Sequence, residues 1–281
     1  MSKLKDFDHL KAAPGAKCRL SRHATDTTKH VPERDHAEHA TLKAAEKLGT
    51  LQDLLYAEGR RSLLVILQGL DASGKDGAVR KVFDAVNPTG VQVISFKQPS
   101  TEELRHDFLW RCHEKVPPRG YIGVFNRSYY EDVLVVRVHA DRLLPRELQN
   151  KKSEWDRRYR MIREFENVLS DAGTTVVKFM LHISKEEQRR RFIARQKDPA
   201  KHWKLAASDF IERTFWDDYQ EAYEKMLPQT STDKAPWYII PSDHKWVRNY
   251  YLSHILLAIL QKMDPQAPLL VDPALIKKRF Q

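Results

Sequence analysis

Gly69-Leu70-Asp71-Ala72-Ser73-Gly74-Lys75 follows the pattern G-x-x-x-x-G-K. At this spacing backbone N–H groups can converge on phosphate oxygens while the lysine reaches the terminal phosphates. Three fixed residues of these types recur by chance in about one chain in twelve of this length, so the flanks decide the reading. Directly before the loop stands Ser62–Gln68, SLLVILQ, an apolar run of strand length suited to burial on both faces. Directly after it the pattern predicts a helix over Ala78–Val86, stopped by Asn87-Pro88. Such a helix aims its positive end at the same anion.

Two carboxylates complicate the loop. Asp71 lies inside it, and Asp76 takes the place after the lysine where Ser or Thr ordinarily holds magnesium. Beside a phosphate they repel the ligand unless a hard cation intervenes, which marks Asp71 and Asp76 as magnesium-holding residues, directly or through water. The alternative for Asp76 is a first-turn acid stabilised by the helix dipole.

Other charged groups fall where strands end. Tyr121–Phe125 reads as a strand running into Asn126-Arg127-Ser128. Ligands of doubly wound sheets collect at the carboxyl ends of strands, so this tip should face the loop. Arg127 could clamp a phosphate with its two-pronged guanidinium, and Asn126 could orient a metal-bound water. Lys97, after the strand VQVISF, is a further phosphate candidate. The segment Lys185–Lys204 carries eight Lys and Arg against three acids. Helical spacing puts Arg191 and Arg195 on one face, as expected of a lid that brings arginines to a transferring phosphoryl group.

The elements that must position these groups alternate strand with helix. Strands are predicted at 62–68, 91–96, 121–126, 174–183 and 237–241. Helices are predicted at 37–58, 101–115 and 153–170, around Arg191 and Phe215, and at 244–263. This rhythm implies a parallel sheet covered on both faces. The expected fold is therefore α/β: a P-loop kinase fold with a five-stranded parallel sheet, helices on both faces, a helical lid, and an N-terminal helical extension. Residues 1–60 form an arm and helix packed on the core, the first 35 residues reading as extended. Residues 61–281 form the kinase domain, with its lid at 185–210.

Composition narrows the partners. The net charge of +10 and isoelectric point near 9.4 fit a polyanionic ligand. No apolar run approaches the roughly 18 residues that cross a bilayer, and MSKLKDFDHLKAAPG lacks the apolar core of a secretory signal. Cys18 and Cys112 are the only cysteines, without metal-ligand spacing, as in a reducing compartment; the cytoplasm is expected. The twelve histidines are scattered, and no hydrolase triad or zinc pattern stands out.

Five stretches together resemble the family-2 polyphosphate kinases, from about Leu42 to Leu260: QGLDASGKDG, SFKQPSTEELRHDFLWR, GVFNRSYYEDVLVVRVH, SKEEQRRRFIARQKDPAKHWK and PWYIIPSDHKWVRNYYLSHIL. The FNRSYYEDVLVVRVH version and the single-domain length are similar to the class III branch, associated with phosphorylating both AMP and ADP. The resemblance implies transfer from inorganic polyphosphate to adenine nucleotides, with guanine nucleotides as the further option. It also implies magnesium, or manganese in its place. It places Asp71, Lys75, Arg127, Arg191 and Arg195 in catalysis. Gly69, Ala72, Ser73, Gly74, Asp76, Gly77, Lys97, Asn126, Ser128, Glu131 and Lys204 fall in phosphate and nucleotide binding, with Glu131 serving either the base or the metal. Asp after the lysine is that family's own pattern. Related enzymes form dimers or tetramers, so a homo-oligomer is expected, with neither a membrane nor a specific nucleic acid as partner. Two other readings are an ATP-dependent kinase of nucleoside monophosphates or another small molecule, and a non-catalytic polyanion or nucleic-acid binder.

Overall fold

The computed structural model describes residues 3–149 and 151–269, together with Ile276. In chain order its elements are α1 (Arg34–Glu58), β1 (Ser62–Gln68), α2 (Lys75–Val82), β2 (Val91–Ser95), α3 (Trp110–His113), β3 (Ile122–Asn126), α4 (Val135–Val138), α5 (Ala140–Leu143) and α6 (Lys152–Asp171). There follow β4 (Thr174–His182), α7 (Lys185–Lys197), α8 (Ala207–Thr214), α9 (Trp216–Thr230), β5 (Trp237–Pro241) and α10 (Lys245–Met263).

The five strands form one parallel sheet in the order β2-β3-β1-β4-β5. β1 is central and buried at every position, which explains an apolar run without alternation. Its outward side chains divide between two cores. Leu64 and Ile66 pack with Trp155 and Ile162 of α6 and Tyr223 and Met226 of α9. Leu63, Val65 and Leu67 pack with Leu48 and Leu55 of α1, Val82 of α2, and Val247 and Tyr251 of α10. The α/β architecture with helices on both faces is thus the one expected.

β1 lies between β3 and β4, so the chain reverses its travel across the sheet there. That reversal opens a crevice at the carboxyl ends of the strands. The register pairs Leu67 with Asn126 and Gln68 with Met180, setting the loop after β1 beside the tip of β3.

The segment before α1 contains short 3-10 turns at Leu4–Leu10 and Leu20–Arg22 rather than being extended throughout. Lys11 bridges Tyr238 antiparallel, and Ala12 N–H donates to Trp237 O at 3.0 Å. The arm thereby covers the outer edge of β5, a row of backbone groups otherwise open to pairing. Phe7 and Leu10 bury beneath it.

The helix predicted over 101–115 is replaced by a 3-10 turn at Glu103–Arg105 and the single turn of α3. Local side chains compete for the backbone: Ser100 and Glu103 exchange bonds with each other's N–H, and Asp107 Oδ1 takes the N–H of Leu109 at 2.9 Å. α2 begins at Lys75 and stops at Val82, short of the predicted end. Asn87 N–H instead donates to Gln52 of α1. Among the described residues no helix is long and apolar enough to cross a membrane.

Candidate active site

The loop leaves β1 at Gly69, where a Cβ would lie 2.9 Å from Leu181 O. Ala72 (φ 62°) and Gly74 (φ 100°) both adopt left-handed conformations, a strain that for Ala72 the surroundings must impose. α2 starts at Lys75, so its first N–H groups open onto the loop. Lys75 is only 8 % exposed and folds back, Nζ donating to Gly69 O at 2.6 Å and Leu70 O at 3.3 Å. Burial, then the neighbouring Arg127, push its pKa down to about 8, against the pull of Asp71, Glu131 and Asp76. Its ammonium therefore sits amid the charged residues that the sequence singled out. Among the described residues Ser73 Oγ is buried without a hydrogen-bond partner.

The tip of β3 meets this loop. Asn126 Nδ2 donates to Asp76 Oδ1 at 2.8 Å. Arg127, itself left-handed at φ 65°, forks between Asp71 (Nη2 to Oδ1, 2.5 Å) and Glu131 (Nη1 to Oε2, 2.8 Å). Glu131 raises its pKa most, burial opposes, and Asp71 adds to the rise. Ser128 is buried and caps the following turn, its Oγ accepting from Tyr130 N–H.

Behind the tip lies a buried anchor. Tyr129 and Tyr130 hydroxyls donate to Glu166 Oε1 at 2.9 and 2.8 Å. Lys178 Nζ donates to Glu166 Oε2 at 2.6 Å, Tyr130 Oη at 3.0 Å and Thr230 O at 2.7 Å. Ion pair and hydroxyls are mutually satisfied, as burial of such charge requires, and they fix the turn from which Arg127 and Glu131 project.

The basic segment reaches the loop from the other side. Ser184 caps α7 by accepting from Glu187 N–H at 3.1 Å. Arg191 uses all five of its N–H groups: on Glu187 (2.8 Å), on Ala72 O and Ser73 O (2.9 and 3.0 Å), and on Ser242 O and Asp243 O (2.6 and 2.9 Å). In this structure Arg191 holds the loop by its carbonyls and has no donor left for a phosphate. Arg195, its neighbour on the helix, lies over the Phe192 ring at 5.3 Å; burial raises the Asp209 carboxyl overall, and the charge of Arg195 offsets part of that rise. Lys204 reaches Asp76 Oδ2 at 3.5 Å. Lys97 is exposed beyond β2, and its ammonium makes no hydrogen bond or ion pair among the described residues; only its carbonyl is used, by Arg111 at 2.8 Å.

Several participants went unrecognised in the sequence. Gln188 Nε2 donates to Asp71 O at 2.9 Å, and Arg213 holds Gln188 in turn at 2.7 Å. A cleft lined by Asp71, Arg127, Glu131, Asp209, Arg213 and Trp216 opens between the β3 tip and α8. Arg248 is buried against Gly74. In the sequence it stands as a charge on a stripe that continues with the apolar Leu252 and Ile255, which does not show what it faces.

Asp71 and Asp76 are not sunk among apolar side chains. Their side chains are 31 % and 66 % exposed, both toward the loop. Among the described residues no group of three or more His, Cys, Asp or Glu forms a metal cage. Two carboxylates suit magnesium, which keeps several waters and completes its shell with substrate phosphates. The donor set fits that ion.

Residues 32–268 match the family described as polyphosphate kinase 2 (PPK2). An AMP/ADP-polyphosphate phosphotransferase from Meiothermus ruber is 49 % identical over 86 % of this chain and 88 % of its own. An ADP-polyphosphate phosphotransferase from Rhodopseudomonas palustris is 45 % identical over 92 % of this chain and 91 % of its own. The crystal structure of polyphosphate kinase 2 from Arthrobacter aurescens TC1 superposes with a TM-score of 0.90 at 38 % identity, covering 98 % of this chain and 95 % of that one. With the phosphate loop, strand tip and sheet order all in place, the chain belongs to the polyphosphate kinase 2 family.

Proposed function

We propose that the protein moves the terminal phosphoryl group of inorganic polyphosphate to ADP and AMP, forming ATP and ADP, with Mg²⁺ required, Mn²⁺ as a substitute, and the reverse reaction open in principle. The observation that carries this reading is the convergence of Lys75, Arg127, Asp71 and Asp76 at the crevice beside β1. The relatives named above, which share most of this chain, support the choice of donor and acceptor.

The acceptor is a phosphate oxygen already ionised at neutral pH, so no general base is needed. The difficulty lies in bringing two polyanions together, and catalysis is positioning and neutralisation of charge. Lys75 exchanges the carbonyls of Gly69 and Leu70 for donor phosphate oxygens. Arg127, held in one orientation by Asp71 and Glu131, presents its fork to the phosphoryl group in flight. Arg195 approaches from the lid. Asp71 and Asp76 would hold Mg²⁺, which would supply positive charge to offset that of the phosphates. The cleft under α8 takes the acceptor, whose neutral ribose and base can donate to Asp209 and Glu131, adenine first and guanine as the further case. A basic track continues past the loop: Lys245, on which Arg191, Arg248 and Lys201 act, gives a long donor somewhere to lie.

The cytoplasm as location is supported by two free thiols. A homo-oligomer, dimer or tetramer, belongs to the same reading and is tested by light scattering. The activity is tested by incubating the protein with polyphosphate, Mg²⁺ and, separately, AMP, ADP, GMP or GDP, and resolving products by chromatography. New ADP and ATP support the reading; unchanged nucleotides in all four reactions contradict it.

A further inference from the structure

Arg248 stands one turn into α10 and is 2 % exposed. Nε and Nη2 both donate to Asn249 Oδ1, at 3.2 and 2.8 Å. Nη1 points at the carbonyl of Ser73 from 3.5 Å, the outer limit of a hydrogen bond. Among the described residues it forms no ion pair with a carboxylate. The charge that acts on it is another cation, Arg191, whose Nη1 donates to the same Ser73 oxygen at 3.0 Å. Burial, then Arg191, push the pKa of Arg248 down to about 10, which still leaves it charged at neutral pH.

A buried cation without a counter-ion is unfavourable, and two sharing one carbonyl are more so. The chain has nevertheless made room for the second. A Cβ at Gly74 would lie 2.0 Å from Arg248 Nη1 and 3.4 Å from Arg191 Nη1, and one at Gly77 would lie 3.6 Å from Arg248 Nη2. The second glycine of G-x-x-x-x-G-K is thus needed for this guanidinium as well as for its φ of +100°. Carbonyls of the loop drawn toward α7 and α10 leave the peptide N–H ends turned the opposite way, the orientation an anion requires. Arg191 has the Glu187 carboxylate at 2.8 Å; an arriving polyphosphate supplies the negative charge that Arg248 lacks.

We propose that Arg248 is a positioning residue for the donor: seated against Gly74 and paired with Arg191, it pins the Ser73 peptide and charges the loop so that polyphosphate binding, and not nucleotide binding, depends on it. This rests on the reading of the loop as the donor site. The test compares Arg248→Met and Arg248→Lys with wild type, varying polyphosphate and ADP separately. The upward shift in melting temperature that tripolyphosphate and Mg²⁺ cause without turnover is measured alongside. Arg248→Met should raise the KM for polyphosphate at least tenfold and remove the tripolyphosphate shift, with the KM for ADP within twofold. Arg248→Lys, which keeps the charge, should recover part of both. A lower melting temperature with an unchanged polyphosphate KM, or equal rises in both KM values, overturns the proposal. Should Arg248→Met not fold, Asn249→Ala removes the acceptor that orients the guanidinium. It should raise the polyphosphate KM about threefold, and an unchanged value overturns the claim. If wild type transfers only from ATP, the donor reading fails, and the positioning claim then stands or falls on the KM for ATP in the same variants.

Discussion

Asn126 donates its amide to Asp76 Oδ1 across 2.8 Å, joining the tip of β3 to the first turn of α2. The contact matters because both residues depart from the usual phosphate loop, an amide where a carboxylate often stands and a carboxylate where a hydroxyl does. Burial tends to raise the Asp76 pKa, but the Asn126 bond and the charge of Lys204 outweigh it and lower it overall. The pair keeps the Asp76 carboxylate ionised, with an amide and not a further carboxylate facing it from the tip of β3.

Replacing that amide therefore alters the demand for a cation. Asn126→Asp sets two carboxylates within hydrogen-bonding distance, which repel each other until a divalent ion joins them. The variant should melt lower than wild type in chelator and gain more in melting temperature on adding Mg²⁺. Thermal melts across a Mg²⁺ titration check this; equal gains in the two proteins would remove Asp76 from the metal site.

Lys75 gives the loop a pH dependence. Its folded pKa of about 8 lies below the ordinary 10.5, so the cost of burying the charged form is fully present below pH 8. Between pH 8 and 10.5 the unfolded chain holds a proton that the folded one has released, and stability from this group rises with pH. Donor binding runs the opposite way, since the neutral amine attracts no phosphate. At saturating ADP, kcat/KM for polyphosphate should fall as pH rises through about 8, and Lys75→Arg should move that limb upward. A flat profile from pH 7 to 9.5 would contradict the assignment.

The buried pair beneath the strand tip should be costly to break. Lys178→Met strands Glu166 as an unpaired charge, with a loss of about 3–5 kcal/mol. Urea unfolding measures it, and a loss under 1 kcal/mol would show that the tip is anchored by other means.

Arg191→Lys keeps the charge but not the planar fork that reaches four carbonyls. Both stability and kcat/KM for polyphosphate should fall, the latter about ten- to a hundredfold, because the loop loses its shape. Wild-type kinetics in a folded variant would leave Arg191 without the holding role that its bonds describe.

What could be read from the chain follows from the range of the interactions involved. β1 and β5 were legible to the residue because continuous apolar runs have few alternatives inside a parallel sheet. The loop was legible because its glycines and lysine act at fixed short spacing. The segment 101–115 was misread as a helix, since Ser100 and Asp107 exert their competition through side-chain bonds that helical periodicity does not register. Arg191 was placed near the loop, yet its use on carbonyls depends on residues more than fifty positions away. Arg248 escaped for the same reason. Its partner is the backbone of Ser73, 175 residues distant, and a contact with a peptide group leaves no mark on the partner's residue type.

The most direct measurement is kcat/KM for polyphosphate, with Mg²⁺ and saturating ADP, in wild type and in Lys75→Ala, each confirmed as folded by circular dichroism. Removing one preorganised charge that meets the transferring phosphates should lower the value by about 10²–10³ or more. Turnover in Lys75→Ala close to that of wild type would contradict the claim that this loop and its lysine hold the donor.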